Sequence, residues 1–253
     1  MLSSTNTNRA VVTRFAVAGV FFLISAVGTA QEENASNPLA KVKNTDLRWN
    51  YLDLGRSGHL NDFYVDGAFM PLDSLKLKYE LHYWDTNSSG SSESDLESIR
   101  LKGIFYPKEG ARGNMTYRVA VGMDWILDLG DVDEGIGSGA DQVAPFVGVA
   151  MALASGDMLI PLLQHNQSYS GIDVSFTTLR AIWLRSLPSG SWLKGDLKYS
   201  IDWENDNATP GSIELQYGKN LSESLGLYVD GFAGFGGYKQ FDWGVGVGVR
   251  FSY

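Results

Sequence analysis

The chain has no cysteine. It therefore makes no disulfide, offers no thiol nucleophile or thiolate metal ligand, and has no attachment point for a lipoprotein anchor. Histidine is scarce too, with three residues, His59, His82 and His165, set at no metal-binding spacing. No nucleophile elbow and no phosphate-cradling glycine loop is found. Positive charge is in deficit: 20 Lys and Arg face 29 Asp and Glu, a formal net charge of -9. That balance argues against nucleic acid and against a polybasic membrane-surface binder. Beyond residue 30 no apolar run approaches the roughly 18 residues that mark a helical membrane span.

The long apolar stretch that does exist lies at the start. Residues 1–30 contain Arg9 and Arg14, no acid, an apolar run from Phe15 to Val27, and the small residues Gly28 and Ala30 before Gln31. This pattern reads as a secretory signal cut after Ala30, because the run is shorter than a spanning helix needs. Residues 31–45 then form a periplasmic or lumenal lead-in, and residues 46–253 the folded unit.

What fills that unit is alternation. Leu75, Leu77, Tyr79, Leu81 and Tyr83 interleave with Lys76, Lys78, Glu80, His82 and Trp84. Met115, Tyr117, Val119, Val121, Met123 and Trp125 interleave with Thr116, Arg118, Ala120, Gly122 and Asp124. A period of two is that of a strand. A water-soluble sandwich would also alternate. Here, however, the apolar faces are long and carry aromatics near their ends: Tyr83, Phe105, Trp125, Trp203, Trp243 and Tyr253. Strands of about 9–11 residues with aromatic girdles predict a closed antiparallel transmembrane β-barrel. Twelve segments are expected, at 46–55, 60–70, 74–84, 95–106, 114–127, 142–154, 158–169, 172–186, 191–204, 211–218, 224–234 and 239–253. The two at 158–169 and 172–186 alternate poorly, so ten or fourteen strands stay open. Connections such as "PLDS", "PKEGARG", "SGD", "LPSGS" and "NLSES" read as short turns at one rim. The Ser/Gly-rich and acidic connections "DTNSSGSSESD" and "DLGDVDEGIGSGAD" belong to the other.

The signal, the alternating segments and a last strand, "WGVGVGVRFSY", closing on an aromatic together resemble the Gram-negative outer-membrane β-barrel class. That resemblance implies a bacterial outer-membrane location, contact with lipid and lipopolysaccharide, and reading of the last strand by the barrel-assembly machinery. More narrowly, "IPLLQ" at 160–164, "IDWEN" at 201–205 and "LQYGK" at 215–219 resemble transporter barrels of the phenol-degradation meta-pathway type. This implies passage of hydrophobic or aromatic solutes.

On the polar faces the cations are Lys76, Lys78, Arg100, Lys102, Arg118, Lys194, Lys198 and Arg250; the anions are Glu80, Asp124, Asp196, Asp202, Glu214, Asp230 and Asp242. Facing a lumen, they are candidates for setting solute or ion selectivity, or for a salt-bridged interior that fills it. Gly244, Gly246 and Gly248 remove side chains from one arc and are expected to leave free space. A lipid-modifying barrel enzyme is the rival. Its one candidate pair, His165 and Ser168, is spaced by three and so points to opposite faces of a regular strand. His82 and Glu80 share a face and read as an ion pair. Asp128, Asp131, Asp133, Glu134 and Asp141 do not match a calcium loop. The expectation is a passive channel or transporter for small solutes, with no chemistry, cofactor or metal; a lipid-modifying enzyme and a closed-lumen structural or surface-interaction barrel are the alternatives.

Overall fold

The structure, a computed structural model, describes residues 34–253; the expected signal segment lies outside the described residues. Twelve strands follow in chain order: β1 (Asn44–Asp53), β2 (His59–Leu72), β3 (Leu75–Thr86), β4 (Glu93–Arg112), β5 (Met115–Asp128), β6 (Ala140–Ala152), β7 (Asp157–Gly171), β8 (Ser175–Ser186), β9 (Ser191–Asp202), β10 (Gly211–Asn220), β11 (Leu225–Phe235) and β12 (Trp243–Ser252). Each pairs antiparallel with its neighbours, and β1 closes on β12 from Asn44↔Ser252 to Asp53↔Trp243. Closure leaves no sheet edge and so no row of unpaired backbone groups.

Because the strand number is even, β1 begins and β12 ends at the same rim, here the terminal rim. Its connections are short, at 73–74, 113–114, 153–156, 187–190 and 221–224, whereas the far rim carries, beside a short one at 172–174, the longer ones, up to 129–139. The acidic far-rim loop is organised by Asp128. Its carboxylate accepts from the amides of Gly130, Ser138 and Gly139 at 3.2, 2.5 and 3.0 Å and from Ser138 Oγ at 2.8 Å. These donors make it a loop staple.

The outward face is apolar. Leu47, Leu101, Val147, Leu163, Leu179, Leu215, Val229 and Val247 are all exposed there. So are the aromatics: Tyr83, Trp125, Trp203 and Trp243 stand toward the far rim, Phe105 and Tyr253 at the terminal rim. A continuous exposed belt of this kind suits hydrocarbon flanked by two interfaces rather than water. No helix among the described residues is long and apolar enough to cross a membrane.

One local reading of the sequence needs correction and another gains its reason. "PKEGARG" is not a loop: β4 continues through it to Arg112, and the turn is only Gly113 and Asn114, with Gly113 at φ 61°. Pro107 instead sits in a register shift between Phe105 and Lys108, beyond the last β3 partner at Phe105, where its missing N–H costs no ladder bond. β7 and β8 alternate poorly for a packing reason. Near the terminal rim their inward residues, Ile160, Leu162, Ile182 and Leu184, are apolar and buried while the outward Leu159, Leu163 and Leu179 are also apolar.

Candidate functional site in the barrel lumen

The apolar inner face of β6–β8 is covered by the chain's own N-terminal residues. The stretch "NASNPLA", residues 34–40, folds as two linked turns: Asn37 N donates to the Asn34 carbonyl at 2.9 Å and Ala40 N to the Asn37 carbonyl at 3.0 Å. The side chains of Asn34 and Asn37 accept from the amides two residues on, Ser36 and Leu39, each at 2.8 Å. Asparagine at these positions and Pro38 after Asn37 are the residues such turns favour. The doubled turn presents Leu39, 0 % exposed, to a cluster of Ile104, Tyr106, Ala120, Phe146, Ala150, Ile160, Leu162 and Ile182.

Polar groups hold the same segment on both sides of the lumen. Ser36 Oγ donates to Gln216 Oε1 at 2.7 Å and accepts from Arg250 Nη1 at 3.1 Å. The Leu39 carbonyl accepts from Arg118 Nη1 at 3.2 Å, the Ala40 carbonyl from Lys76 Nζ at 2.7 Å, and Lys41 Nζ lies 2.5 Å from Glu109. The lead-in therefore spans from the β10–β12 wall to the β3–β7 wall as a plug inside the terminal half. Burying one leucine side chain contributes about 1.5–3 kcal/mol, and these ties fix its register.

The rest of the terminal half is filled by aromatics lying over glycines. Tyr228 rests where a side chain at Gly248 would stand, since a β-carbon there would lie 2.1 Å from its ring; Trp192 does the same at Gly218, at 2.0 Å. Toward the far rim β12 is filled likewise: Asn50 and Phe232 occupy the space over Gly246, and Leu52 that over Gly244. The space that Gly244, Gly246 and Gly248 leave on their arc is therefore taken by opposing side chains and is not free for solute. Trp192 Nε1 donates to Gln216 Oε1 at 2.8 Å, and Arg250 lies over both rings while pairing with Asp46 at 2.7 Å.

Charge is arranged in neighbouring pairs. Lys78 lies 3.5 Å from Glu80 and 3.9 Å from Asp66; Lys102 lies 2.8 Å from Asp124, Lys194 2.6 Å from Glu214, and Arg118 2.8 Å from Glu109. Arg180 grips Asp196 through both Nε and Nη2, and Arg100 lies 3.3 Å from Glu97. Arg48 reaches Asp230 at 3.1 Å between the rings of Tyr64 and Tyr228. Pairing of this kind offsets the desolvation of each charge and adds little beyond that. Lys198 differs: it is exposed in the lumen, and no carboxylate among the described residues lies within ion-pair distance of it.

Two of the expected lumen residues lie elsewhere. Asp202 ends β9 at the far rim, where its carboxylate accepts from the amides of Glu204 and Asn205. Asp242 is an exposed residue of the β11–β12 loop, 2.9 Å from Lys239. Both follow the parity of their strands, but Asp202 stands on the last rung of β9, opposite Phe176, and Asp242 lies just before β12 begins. Conversely, Asp46, Arg48, Asp62, Asp66, Glu97 and Arg180 do belong to the lumen network and were missed. β1 and β2 interrupt the alternation with Asn, Asp and Gly, and β8 hides Arg180 in an apolar run. An uncharged arc separates the charged walls: Gln142, Ala144 and Phe146 on β6, and Leu162, Gln164 and Asn166 on β7.

The histidines assemble no catalytic set. His82, stacked on Tyr64, has Asp62 at 2.9 Å and Glu80 at 3.5 Å, so its nearer partner is Asp62. His59 opens β2 and stacks on Tyr51. His165 lies on the outer face beside Thr177, at 3.0 Å, while Ser168 Oγ accepts from the amide of Val174. No group of three or more potential ligands among the described residues is placed to hold a metal.

Neither family models nor curated proteins match the sequence. Solved structures match its fold. The COG4313 outer membrane channel from Pseudomonas putida F1 is similar with a TM-score of 0.63 at 8% identity, over 90% of this chain and 100% of that one. The NanC porin is similar with a TM-score of 0.62 at 11% identity, over 83% and 100%. The KdgM porin follows at 0.59 and 10%, over 83% and 99%. Identities this low identify the shared property as the fold, the closed barrel of Gram-negative outer-membrane proteins.

Proposed function

We propose that the protein is a passive outer-membrane channel for small solutes, held closed at its periplasmic mouth by its own residues 34–43. The observation that carries this reading is the contrast between an apolar outer belt and a charged lumen with a segment of the chain seated in one end. In this reading a cleaved signal takes the chain across the inner membrane, the assembly machinery reads its last strand, and lipid and lipopolysaccharide surround it. The terminal rim is periplasmic and the far rim extracellular. Aromatic solutes are among those it passes, as the short transporter-like stretches suggest. Passage is diffusion along the uncharged β6–β7 arc past the paired charges, and needs no cofactor.

The filled terminal half favours a second reading, a structural barrel whose lumen never opens. Step conductance in planar bilayers, together with flux of small solutes from vesicles holding the folded protein, separates the two. Conductance steps and flux support the channel; a folded protein without either under any applied voltage supports the structural barrel. An enzyme finds less support, since His165 and Ser168 have no contact with one another.

A further inference from the structure

We infer that Lys198 is the contact point of a selective subsite for small organic carboxylates, a refinement that rests on the channel reading. The other cations on the lumen faces of the strands have a carboxylate or backbone oxygen partner; Lys198 has no ion pair among the described residues and is exposed to the lumen. Its register partner on β8 is Arg180, a like charge. Two cations directly across a strand pair repel one another. Asp196 answers Arg180, so Lys198 has no ion pair of its own among the described residues, in a wall where the other cations are matched.

The surroundings suit a carboxylate rather than a dianion or a bare halide. The other register partner of Lys198 is Ser212 on β10, and one rung toward the far rim Thr178 and Ser200 share a hydroxyl hydrogen bond at 2.7 Å. One ammonium with hydroxyl donors alongside provides one charge-assisted bond and neutral ones for the second oxygen. The solute's uncharged body would then face Gln164, the register partner of Thr178 on the uncharged arc. The subsite lies on the far side of the plug, so a solute entering from outside meets it while the periplasmic mouth is closed.

The test uses three probes sharing one ring, benzoate, benzyl alcohol and benzylammonium, titrated calorimetrically against the folded, plugged barrel in detergent. Benzoate is expected to bind more tightly than the other two. Lys198→Gln should lower its affinity about tenfold, the worth of one charge-assisted hydrogen bond, and leave benzyl alcohol unchanged. Lys198→Glu should reverse the preference toward benzylammonium. Equal binding of the three probes, or an unchanged benzoate affinity in Lys198→Gln, overturns the subsite. Binding needs no conduction, so selective binding without conductance would sink the channel and keep the subsite. Conductance without benzoate preference would do the opposite.

Discussion

The two halves of the lumen differ in what fills them. In the terminal half aromatic and aliphatic side chains turn inward, glycines make room for rings from neighbouring strands, Leu39 completes an apolar cluster, and charges such as the Arg250–Asp46 pair are packed among them. In the far half amides, hydroxyls and paired charges line most of the wall beside Leu52 and Phe232, and Lys198 is exposed to the lumen. One outer belt encloses both. The difference teaches that alternation in a barrel reports the outer solvent reliably and the inner one only where the lumen is wet.

That contrast can be broken most forcefully at Leu39. Leu39→Asp would place a carboxylate in a dry apolar cluster, a change the segment escapes by leaving the lumen. Mean conductance in planar bilayers is expected to rise by an order of magnitude, and an unchanged trace would mean that the segment is not what closes the mouth. The next largest effect concerns packing. Trp192→Ala should destabilise the barrel by about 3–5 kcal/mol in lipid-vesicle unfolding, as for a large buried aromatic. Gln164→Ala, in the far half, should change stability by less than about 0.5 kcal/mol. Comparable values at the two sites would erase the distinction between a packed and a hydrated half.

A smaller effect is expected for the paired charges. Lys102→Gln leaves Asp124 without its partner, so reversal potentials in a salt gradient should move only slightly, toward cations, and by less than in Lys198→Glu. The smallest effect is that of acid on the plug. Glu109 stands on the extension of β4 beyond the membrane belt, and the hydrogen bond from Lys41, aided by Arg118, holds its carboxyl below the ordinary value. A lowered carboxylate pKa means that the tie is present above the ordinary carboxylate range and is lost as pH falls through the lowered value. Opening events should become modestly more frequent as pH falls below the ordinary carboxylate range, an effect limited by the exposure of this pair; Glu109→Gln should open as often at neutral pH as the parent does in acid.

The strand order, the number of strands and the outward girdles were legible because lipid outside imposes a strict period of two on strands such as β5 and β12. The lumen was legible in part. Lys78, Glu80, Lys102, Asp124, Lys194 and Glu214 follow clean alternation and meet where parity puts them. Arg48, Asp66 and Arg180 did not, because their strands break the pattern. Which charge pairs with which depends on register across strands, a long-range property that one strand's sequence does not carry. The glycines of β12 show the same limit: parity placed Gly248 inward, but only its register partner Tyr228 reveals that the gap is filled. The plug had a local signal, two asparagines three apart with Pro38 and Leu39 behind the second. Its destination had none, since nothing within residues 34–43 specifies the cluster that receives it.

The most direct measurement compares, in planar bilayers, the chain from residue 31 with one that begins at residue 44. The account requires rare or no opening from the former and sustained conductance from the latter, with both equally folded by heat-modifiable gel migration. If the shortened chain folds and stays as silent as its parent, the closure belongs to the wall itself, and the channel gated by its own N-terminal residues is contradicted.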